Sequence, residues 1–296
     1  MRRAACWLIF CLLVPPRLHG GEVVFASYNV QNYLAIARQE DGQRMVRVGK
    51  PESEIAAVVR VIKTIRPDIL GLIEMGDEST LRDLQDRLKA AGMPLPYSEW
   101  HRGFDQERHV CLLSRFPITA RNSRGDIPFS LNGRIERMNR GILDVTVEVS
   151  PKFSLRLVGA HLKSRRPVPE YDETAMRARE AWYLREHVVG ILQASPNTPL
   201  LLFGDFNDTK NEYPIRTLIG RRGTSTHMAD LPLTDSRGEV WTHFWKTADS
   251  YSRIDFIMVN RALLPKIILK KSGLNDSPFW LKASDHRALF VTISSP

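Results

Sequence analysis

The sequence predicts an α/β fold in one domain over residues 21–296. Apolar runs of strand length alternate with segments whose apolar residues recur at helical spacing, which is typical of α/β (or α+β) domains. The 296 residues are 43% hydrophobic and 25% charged, a composition that suits one large globular domain. No linker, composition shift or internal repeat divides the chain, so we expect a single domain.

Residues 1–20 are expected to form a secretory signal peptide. Arg2 and Arg3 precede an apolar run over residues 4–14, which is too short to span a bilayer and is followed by prolines and glycines. We therefore expect a secreted or periplasmic protein with no integral membrane segment after signal removal. An uncleaved anchor is the alternative.

The cysteines predict a fold without an internal disulfide. Cys6 and Cys11 lie within the signal segment, which leaves Cys111 alone in the mature chain. Cys111 stands in an apolar run, so we interpret it as a buried strand residue rather than a catalytic thiol. Stability must then come from the apolar core.

The first half of the chain alternates strands with helices. Residues 23–28 favour a strand that ends at Asn29, and residues 69–73 favour one that ends at Glu74. A proline–glutamate pair opens a helix between them, with an apolar stripe of Ile55, Val58, Val59, Ile62 and Ile65. A second helix carries Leu81, Leu84 and Leu88.

The second half is richer in strands. Residues 143–149 alternate apolar and polar side chains, which predicts a half-buried strand. Further strands are predicted at residues 110–114, 155–160, 200–203, 256–259 and 289–293. Residues 174–192 predict a helix, while residues 121–137 and 220–239 are polar and are expected to be irregular.

Side chains with catalytic chemistry stand at the ends of these strands. They are Asn29, Glu74, His161, Asp205, Asn207 and Asp255, with Asp285 and His286 just before the last strand. Because open sheets bind ligands at strand ends, this joint placement predicts one functional site. Each residue alone also fits a structural role, such as a turn aspartate or a core histidine.

The side chains suit hydrolysis of a phosphodiester, which requires charge neutralisation and an activated water. Glu74 and Asp285 are candidate ligands for a hard cation. Asp255 could orient His286 as a general base, and His161 could act as a second imidazole. The chain has no HExxH, paired CxxC or Walker A motif, so zincin, zinc-ribbon and P-loop functions lack support.

Seven short segments carry a family resemblance. They are residues 29–32 (NVQN), 73–74 (IE), 113–117 (LSRFP), 160–163 (AHLK), 204–207 (GDFN), 253–255 (RID) and 284–286 (SDH). In this order they resemble the endonuclease/exonuclease/phosphatase superfamily, in particular its deoxyribonuclease I-like members. The resemblance implies a four-layer sandwich of two packed mixed β-sheets flanked by helices. It also implies a divalent-metal phosphodiesterase or phosphatase.

The resemblance assigns metal and nucleophile roles. It implies that Glu74 is the principal metal ligand, with Asn29 and Asp285 nearby. The expected ion is Mg²⁺, with Mn²⁺ or Ca²⁺ as alternatives. Asp205 and Asn207 are expected to orient the nucleophile and the phosphate.

Further site roles are also implied by the resemblance. Asp255 is expected to support His286, and Glu107 to partner His161. Arg140 lies where the family places a phosphate-contacting arginine.

The charge of the chain favours an anionic substrate. Formal net charge is +9, and Lys163, Arg165 and Arg166 form a basic run that suits a phosphate-backbone track. We therefore predict a monomeric, secreted, metal-dependent nuclease acting on DNA or RNA. The deoxyribonuclease pattern has an arginine two positions after Glu74, where this chain has Gly76.

Two other functions remain open. One is a phosphodiesterase or phosphatase that acts on a lipid head group, as sphingomyelinase-like members do, or on a small phosphoester. The other is a non-catalytic phosphate-binding member. An exposed aromatic hairpin would favour the lipid substrate, but we expect Trp241, Phe244 and Trp245 to pack in the core or against strands.

Overall fold

A computed structural model describes residues 21–36, 39–40, 43–44 and 47–295. The predicted signal peptide, with Cys6 and Cys11, lies outside these residues. Among the described residues, no helix combines the length and apolarity that a membrane crossing requires. Cys111 is a free, buried thiol, and burial raises its pKa, as expected for a structural strand residue.

The described part of the chain forms eighteen strands and five α-helices. The strands are β1 (Gly21–Tyr33), β2 (Gln39–Glu40), β3 (Gln43–Arg44), β4 (Ile69–Met75), β5 (Tyr97–His101), β6 (His109–Ser114), β7 (Ile118–Arg121), β8 (Pro128–Leu131), β9 (Arg134–Arg137), β10 (Leu143–Ser150), β11 (Phe153–His161), β12 (Leu200–Asp205), β13 (Met228–Asp230), β14 (His243–Trp245), β15 (Ser250–Ser252), β16 (Asp255–Asn260), β17 (Gly273–Leu274) and β18 (Leu289–Ser295). The helices are α1 (Glu52–Ile65), α2 (Glu78–Ala90), α3 (Glu173–Ala194), α4 (Tyr213–Ile219) and α5 (Trp280–Ala283).

Two six-stranded sheets pack face to face, and helices cover their outer faces. The first sheet has the strand order β17–β18–β1–β4–β6–β5, and the second β13–β16–β12–β11–β10–β7. Both are mixed, because β1 pairs with β4 and β11 with β12 in parallel while the other pairs are antiparallel. One apolar cluster joins α1 and α2 to the first sheet, another joins α3 and α4 to the second, and a third fills the space between the sheets. The predicted four-layer sandwich is therefore confirmed.

Strand alternation divides the side chains between these clusters, because successive side chains point to opposite faces of a sheet. On β1, Phe25 faces the second sheet, whereas Tyr28 packs beneath the helices. On β12, Leu201 and Phe203 face the first sheet, whereas Leu202 faces α3.

Phe203 fills space that two glycines leave open between the sheets. Its ring meets that of Phe25 edge to face, with centroids 5.1 Å apart. A Cβ added to Gly71 on β4 would lie 2.3 Å from the Phe203 ring, and one on Gly159 of β11 would lie 2.5 Å from it. Since Phe203 stands two residues before Asp205, this packing fixes the end of β12 that carries the predicted site.

The main differences from the predicted elements lie in the short strands. The hairpin β8–β9 occupies part of residues 121–137, which were predicted to be irregular. Its turn residues Asn132 and Gly133 both have positive φ, as a two-residue hairpin turn requires, so this Asn–Gly pair was an available signal. β13 likewise lies within residues 220–239, and the predicted helix at 174–192 runs slightly longer as α3.

Gly71→Ala should destabilise the fold by about 1–3 kcal/mol, because the new methyl group would overpack the Phe203 ring. The measurement is the free energy of unfolding in urea. Gly190→Ala is the matched control, because a Cβ on this exposed glycine of α3 meets nothing within 4 Å. That control should stabilise the protein by up to about 1 kcal/mol. Equal effects of the two substitutions would contradict the packing argument.

Candidate active site

Strand register places three predicted residues in one row at the edge of the second sheet. The parallel pairing of β11 with β12 sets His161 beside Asp205. The antiparallel pairing of β12 with β16 sets Asp205 beside Asp255. The row exists because β16 begins where β11 and β12 end.

The first sheet contributes Asn29 to this row. Asn29 Nδ2 donates a hydrogen bond to Asp205 Oδ2 at 3.0 Å and lies 3.4 Å from His286 Nε2. Asn29 Oδ1 accepts the backbone N–H of Gln31 at 3.0 Å and keeps a second lone pair for a ligand. Asn29 thus joins the ends of the two sheets.

His286 and Asp255 form the predicted carboxylate–imidazole pair. His286 Nδ1 lies 2.8 Å from Asp255 Oδ2, and both side chains are buried. The backbone N–H of Asp255 donates to Thr242 Oγ1 at 3.1 Å, and that of His286 donates to Ser284 Oγ at 3.0 Å. When Nδ1–H donates to the carboxylate, the lone pair of Nε2 faces the site.

Asp205 and His286 both have a high affinity for protons. Burial, followed by the charge of Asp255, raises the pKa of Asp205 to about 8. Burial alone would lower the pKa of His286, but the charge and hydrogen bond of Asp255, with the charges of Asp205 and Asp285, hold it well above 6.5. Asp205 Oδ2 and His286 Nε2 lie 3.8 Å apart, so the two groups titrate as a coupled pair.

His161 is a buried, neutral imidazole between the two sheets. Its Nε2 lies 3.6 Å from Asp205 Oδ2 and 4.0 Å from Glu74 Oε1, while its Nδ1 is buried without a hydrogen-bond partner among the described residues. Burial, followed by the charges of Arg140 and His286, holds the pKa of His161 well below 6.5. Its ring can therefore make one further hydrogen bond to a ligand.

Glu74 stands where the backbone of the first sheet is distorted. Its φ of +65° lies in the left-handed region, which costs a non-glycine residue about 1 kcal/mol or more. Gln31 and Asn32 on β1 also have positive φ, at the point where the β1–β4 register shifts. The Asn32 N–H donates to Glu74 Oε2 at 2.9 Å, so the distortion holds this carboxylate against the site.

These donors fit a hard divalent cation. Glu74 and Asp285 offer carboxylate oxygens and Asn29 offers an amide oxygen, which is the donor set that Mg²⁺ prefers. Among the described residues, Glu74 Oε1 accepts no hydrogen bond, so it is available as a ligand. Two further groups have ligand atoms within 4.8 Å of one another: Asp205 with Asp255 and His286, and His243 with Asp285 and His286.

Asn207 and Arg140 suit binding of a phosphate. Asn207 has a φ of +53°, and its Nδ2 donates to the Leu162 carbonyl at 3.0 Å, which leaves a second amide N–H for a ligand. Arg140 Nε donates to Asp105 Oδ2 at 3.1 Å, and its buried Nη1 has no partner among the described residues. The charge of Arg140 lowers the pKa of His161, so the guanidinium acts electrostatically on the site.

The predicted Glu107–His161 pair does not form. Glu107 Oε1 instead lies 2.8 Å from Arg47 Nη2, and Oε2 lies 3.4 Å from Arg108 Nη1. Two neighbouring guanidinium groups outcompete a neutral imidazole for the carboxylate. The next residue, Arg108, reaches toward the site instead, because its Nε donates to Asn32 Oδ1 at 2.9 Å.

Lys163 was predicted to present its ammonium group to a phosphate. In the structure its side chain instead turns into its own loop. Its Nζ donates to the carbonyls of Ser164 at 3.0 Å and Arg166 at 2.8 Å, and the residue is buried. These carbonyls, which follow the end of β11, compensate the positive charge of the Lys163 ammonium group. Arg165 of the same run is more exposed but pairs with Asp208.

Glu180 on α3, which the sequence did not single out, holds two loops of the site. Its Oε1 accepts the N–H of Asn139 at 2.9 Å, and its Oε2 accepts that of Lys163 at 2.5 Å. Asn139 precedes Arg140, and Lys163 follows two residues after His161. A glutamate in line with the buried residues Met176, Leu184 and Val188 of α3 was the available signal.

Other residues missed from the sequence lie around Asp285. Gln31 Oε1 accepts the N–H of Asp285 at 3.2 Å, and this glutamine stood within the segment 29–32. His243 Nε2 lies 3.9 Å from Asp285 Oδ2, and its ring centroid lies 4.6 Å from that of His286. No recognisable motif surrounds His243.

The aromatic cluster divides between packing and exposure. β14 and β15 form a two-stranded sheet, called here the aromatic hairpin. Trp241 packs on Tyr251 and Trp280, and Phe244 stacks on Tyr251, as the expected packing role requires. Trp245 differs from that expectation, because 57% of it is exposed.

The fold and the site are those of a hydrolase of phosphate esters, in which two packed sheets bring carboxylates, amides and imidazoles to one edge. The sequence matches the Endonuclease/Exonuclease/phosphatase family over residues 26–286. The chain belongs to this family, whose members are metal-dependent phosphoric ester hydrolases. No significant match exists among curated protein sequences.

Solved structures share this fold at low sequence identity. The chain is similar to truncated TDP2 from Caenorhabditis elegans, with 18% identity, a TM-score of 0.61, and coverage of 93% of this chain and 98% of that one. It is similar to the human Nocturnin catalytic domain with bound sulfate anion, with 16% identity, a TM-score of 0.64, and coverage of 93% and 95%. A beta toxin structure from Staphylococcus aureus gives 13% identity, a TM-score of 0.60, and coverage of 92% and 100%.

Glu180→Ala should lower the free energy of unfolding by about 2–5 kcal/mol, because two buried backbone N–H groups would lose their acceptor. Glu180→Gln, which keeps one acceptor oxygen, should lose less. Chemical denaturation measures both, with Glu186→Ala on the exposed face of α3 as the control. A loss no larger than that of the control would contradict the role assigned to Glu180.

Proposed function

We propose that the chain is a secreted, divalent-metal-dependent phosphodiester hydrolase that cleaves DNA or RNA. The observation that carries the proposal is the continuous chain of contacts from Asn29 through Asp205 and His286 to Asp255. His286 stands at its centre with Nδ1 against Asp255, so its Nε2 is oriented to take a proton from water.

Glu74, together with Asn29 and Asp285, would hold Mg²⁺ or Mn²⁺. When bound, the cation neutralises charge on the phosphoryl oxygens. The donor chemistry favours these ions, because the three side chains offer oxygen ligands.

The remaining side chains bind the phosphate and move the proton. His286, oriented by Asp255, takes the proton from water, and Asp205 holds the water in place. Asn207 and Arg140 donate to phosphoryl oxygens, since each has an N–H that the fold leaves available. Neutral His161 supplies a further hydrogen bond.

Charge favours a polyanionic substrate. The full chain carries +9, and removal of residues 1–20, which contain three arginines and no acidic residue, would leave +6. A positive protein attracts a phosphate backbone without sequence preference. The positive charges of Arg140 and Arg108 act on His161 and lower its pKa, so the site itself feels this charge.

A lipid head group is the second candidate substrate, and the aromatic hairpin favours it. Trp245 and Tyr251 are 57% and 55% exposed. Leu281, which is 51% exposed, lies on the neighbouring helix α5. Exposed aromatic and aliphatic side chains beside Asp285 could contact the interface of a membrane.

Chelation by EDTA should abolish hydrolysis, and added Mg²⁺ or Mn²⁺ should restore it. Glu74→Gln and His286→Ala should each lower kcat by at least about 100-fold with modest loss of fold stability. Steady-state kinetics and denaturation measure the two effects, with the exposed Glu148→Gln on β10 as control. Metal-independent turnover would contradict the metal role, and full activity of His286→Ala would remove the base assignment.

A substrate panel with Mg²⁺ should show turnover of DNA or RNA in preference to sphingomyelin vesicles and a small phosphodiester. Binding of nucleic acid should weaken steeply with salt, because phosphate contacts release counterions. The double change Trp245→Ser and Tyr251→Ser should leave nucleic acid cleavage within about threefold.

The lipid alternative makes the opposite prediction. If sphingomyelin is the better substrate and the hairpin double change selectively impairs its hydrolysis in vesicles, the lipid function replaces the nuclease. Leu264→Ser is the control, because Leu264 is exposed and follows the far end of β16 from Asp255.

A further inference from the structure

His243 lies at the edge of the site, beside His286. The chemistry assigned to His286 and His161 does not use this third imidazole. Its Nε2 lies 3.9 Å from Asp285 Oδ2, and His286 Nε2 lies 3.9 Å from Asp285 Oδ1. The ligand atoms of the three residues all lie within 4.8 Å of one another. Asp285 is about one third exposed and His243 about one fifth, so solvent reaches the group.

The backbone fixes this arrangement. His243 and His286 form an antiparallel bridge, and the N–H of Phe244 donates to the Asp285 carbonyl at 2.9 Å. The N–H of Arg287 donates to the Thr242 carbonyl at 2.7 Å. The aromatic hairpin is therefore joined to the segment that carries the catalytic histidine.

Each imidazole has an oxygen partner at Nδ1. His286 Nδ1 lies 2.8 Å from Asp255 Oδ2, and His243 Nδ1 lies 3.4 Å from Ser252 Oγ. A histidine held through Nδ1–H by an oxygen presents the lone pair of Nε2, which is the usual arrangement around a bound transition metal. Both Nε2 atoms lie on the side of Asp285.

The donor set selects the cation. Two imidazole nitrogens and one carboxylate with solvent access suit Zn²⁺, whereas Mg²⁺ prefers oxygen ligands throughout. Zn–N bonds of about 2.0–2.1 Å place tetrahedral ligands about 3.3 Å apart. The two 3.9 Å separations run to different oxygens of Asp285, and the ligand atoms taken one per residue lie within 4.8 Å of one another. Closing around Zn²⁺ therefore requires each side chain to approach by up to about 0.8 Å.

We propose that His243, Asp285 and His286 form a binding site for Zn²⁺, and that its occupation inhibits hydrolysis. Zn²⁺ at this site takes the lone pair of His286 Nε2 and one carboxylate of the Mg²⁺ site. The inhibitory consequence rests on the proposed function, but binding itself does not.

The site is tested by measuring Zn²⁺ binding to the full chain in competition with a chromogenic chelator. All binding measurements use a background that carries Glu74→Gln, which disables the proposed Mg²⁺ site and makes the result independent of turnover. Adding His243→Gln should raise the Zn²⁺ dissociation constant at least about tenfold. His243→Cys, which supplies a thiolate, should retain tight binding.

His227→Gln is the matched control and should leave Zn²⁺ binding unchanged, because His227 precedes β13 at the far end of β16 from Asp255. Equal dissociation constants with and without His243 would overturn the proposal, since Zn²⁺ would then occupy another group such as Asp205, Asp255 and His286.

Inhibition is measured separately. In Mg²⁺-supported hydrolysis, the Zn²⁺ concentration that halves the rate should rise at least about tenfold in His243→Gln, relative to that variant's own uninhibited rate. An unchanged value would overturn the inhibitory role. Absence of hydrolysis of every substrate in the panel would refute the proposed function and leave the binding result standing.

Discussion

The buried hydrogen bond from Asn29 to Asp205 is the contact on which the site depends. Asp205 ends β12 of one sheet, and Asn29 lies on β1 of the other where the regular pairing with β4 stops, so the bond fixes how the two sheets meet at this edge. Phe203 fixes the same alignment of the two sheets from within the core, because its ring fits only where Gly71 and Gly159 leave space. The apolar interior and the polar edge therefore specify one common alignment.

That alignment gathers negative charge around one imidazole. Asp205, Asp255 and Asp285 all raise the pKa of His286. Burial, followed by the charge of Asp255, raises the pKa of Asp205. Arg108 and Arg140 oppose this charge from the side of His161. The excess of carboxylates at this edge favours binding of cations. Two groups of potential metal ligands accordingly share His286, one with Asp205 and Asp255 and one with His243 and Asp285.

Much of the fold and site could be predicted from the sequence, because strand alternation and strand ends are local signals. His161, Asp205 and Asp255 come together through register alone. The partners of Glu107 and Lys163 could not be predicted, since they depend on which guanidinium or carbonyl groups the loops bring near. His243 was missed because a two-stranded hairpin, not a motif, carries it to the site.

The left-handed residues at the site have a consequence for engineering. Glu74 and Asn207 hold conformations that ordinary side chains avoid, and both lie where ligands would bind. Glycine at these positions would relieve backbone strain while deleting the groups that the chemistry uses. Searches for thermostable variants should therefore enrich substitutions that inactivate the protein at this edge, and harmless ones in the helical layers.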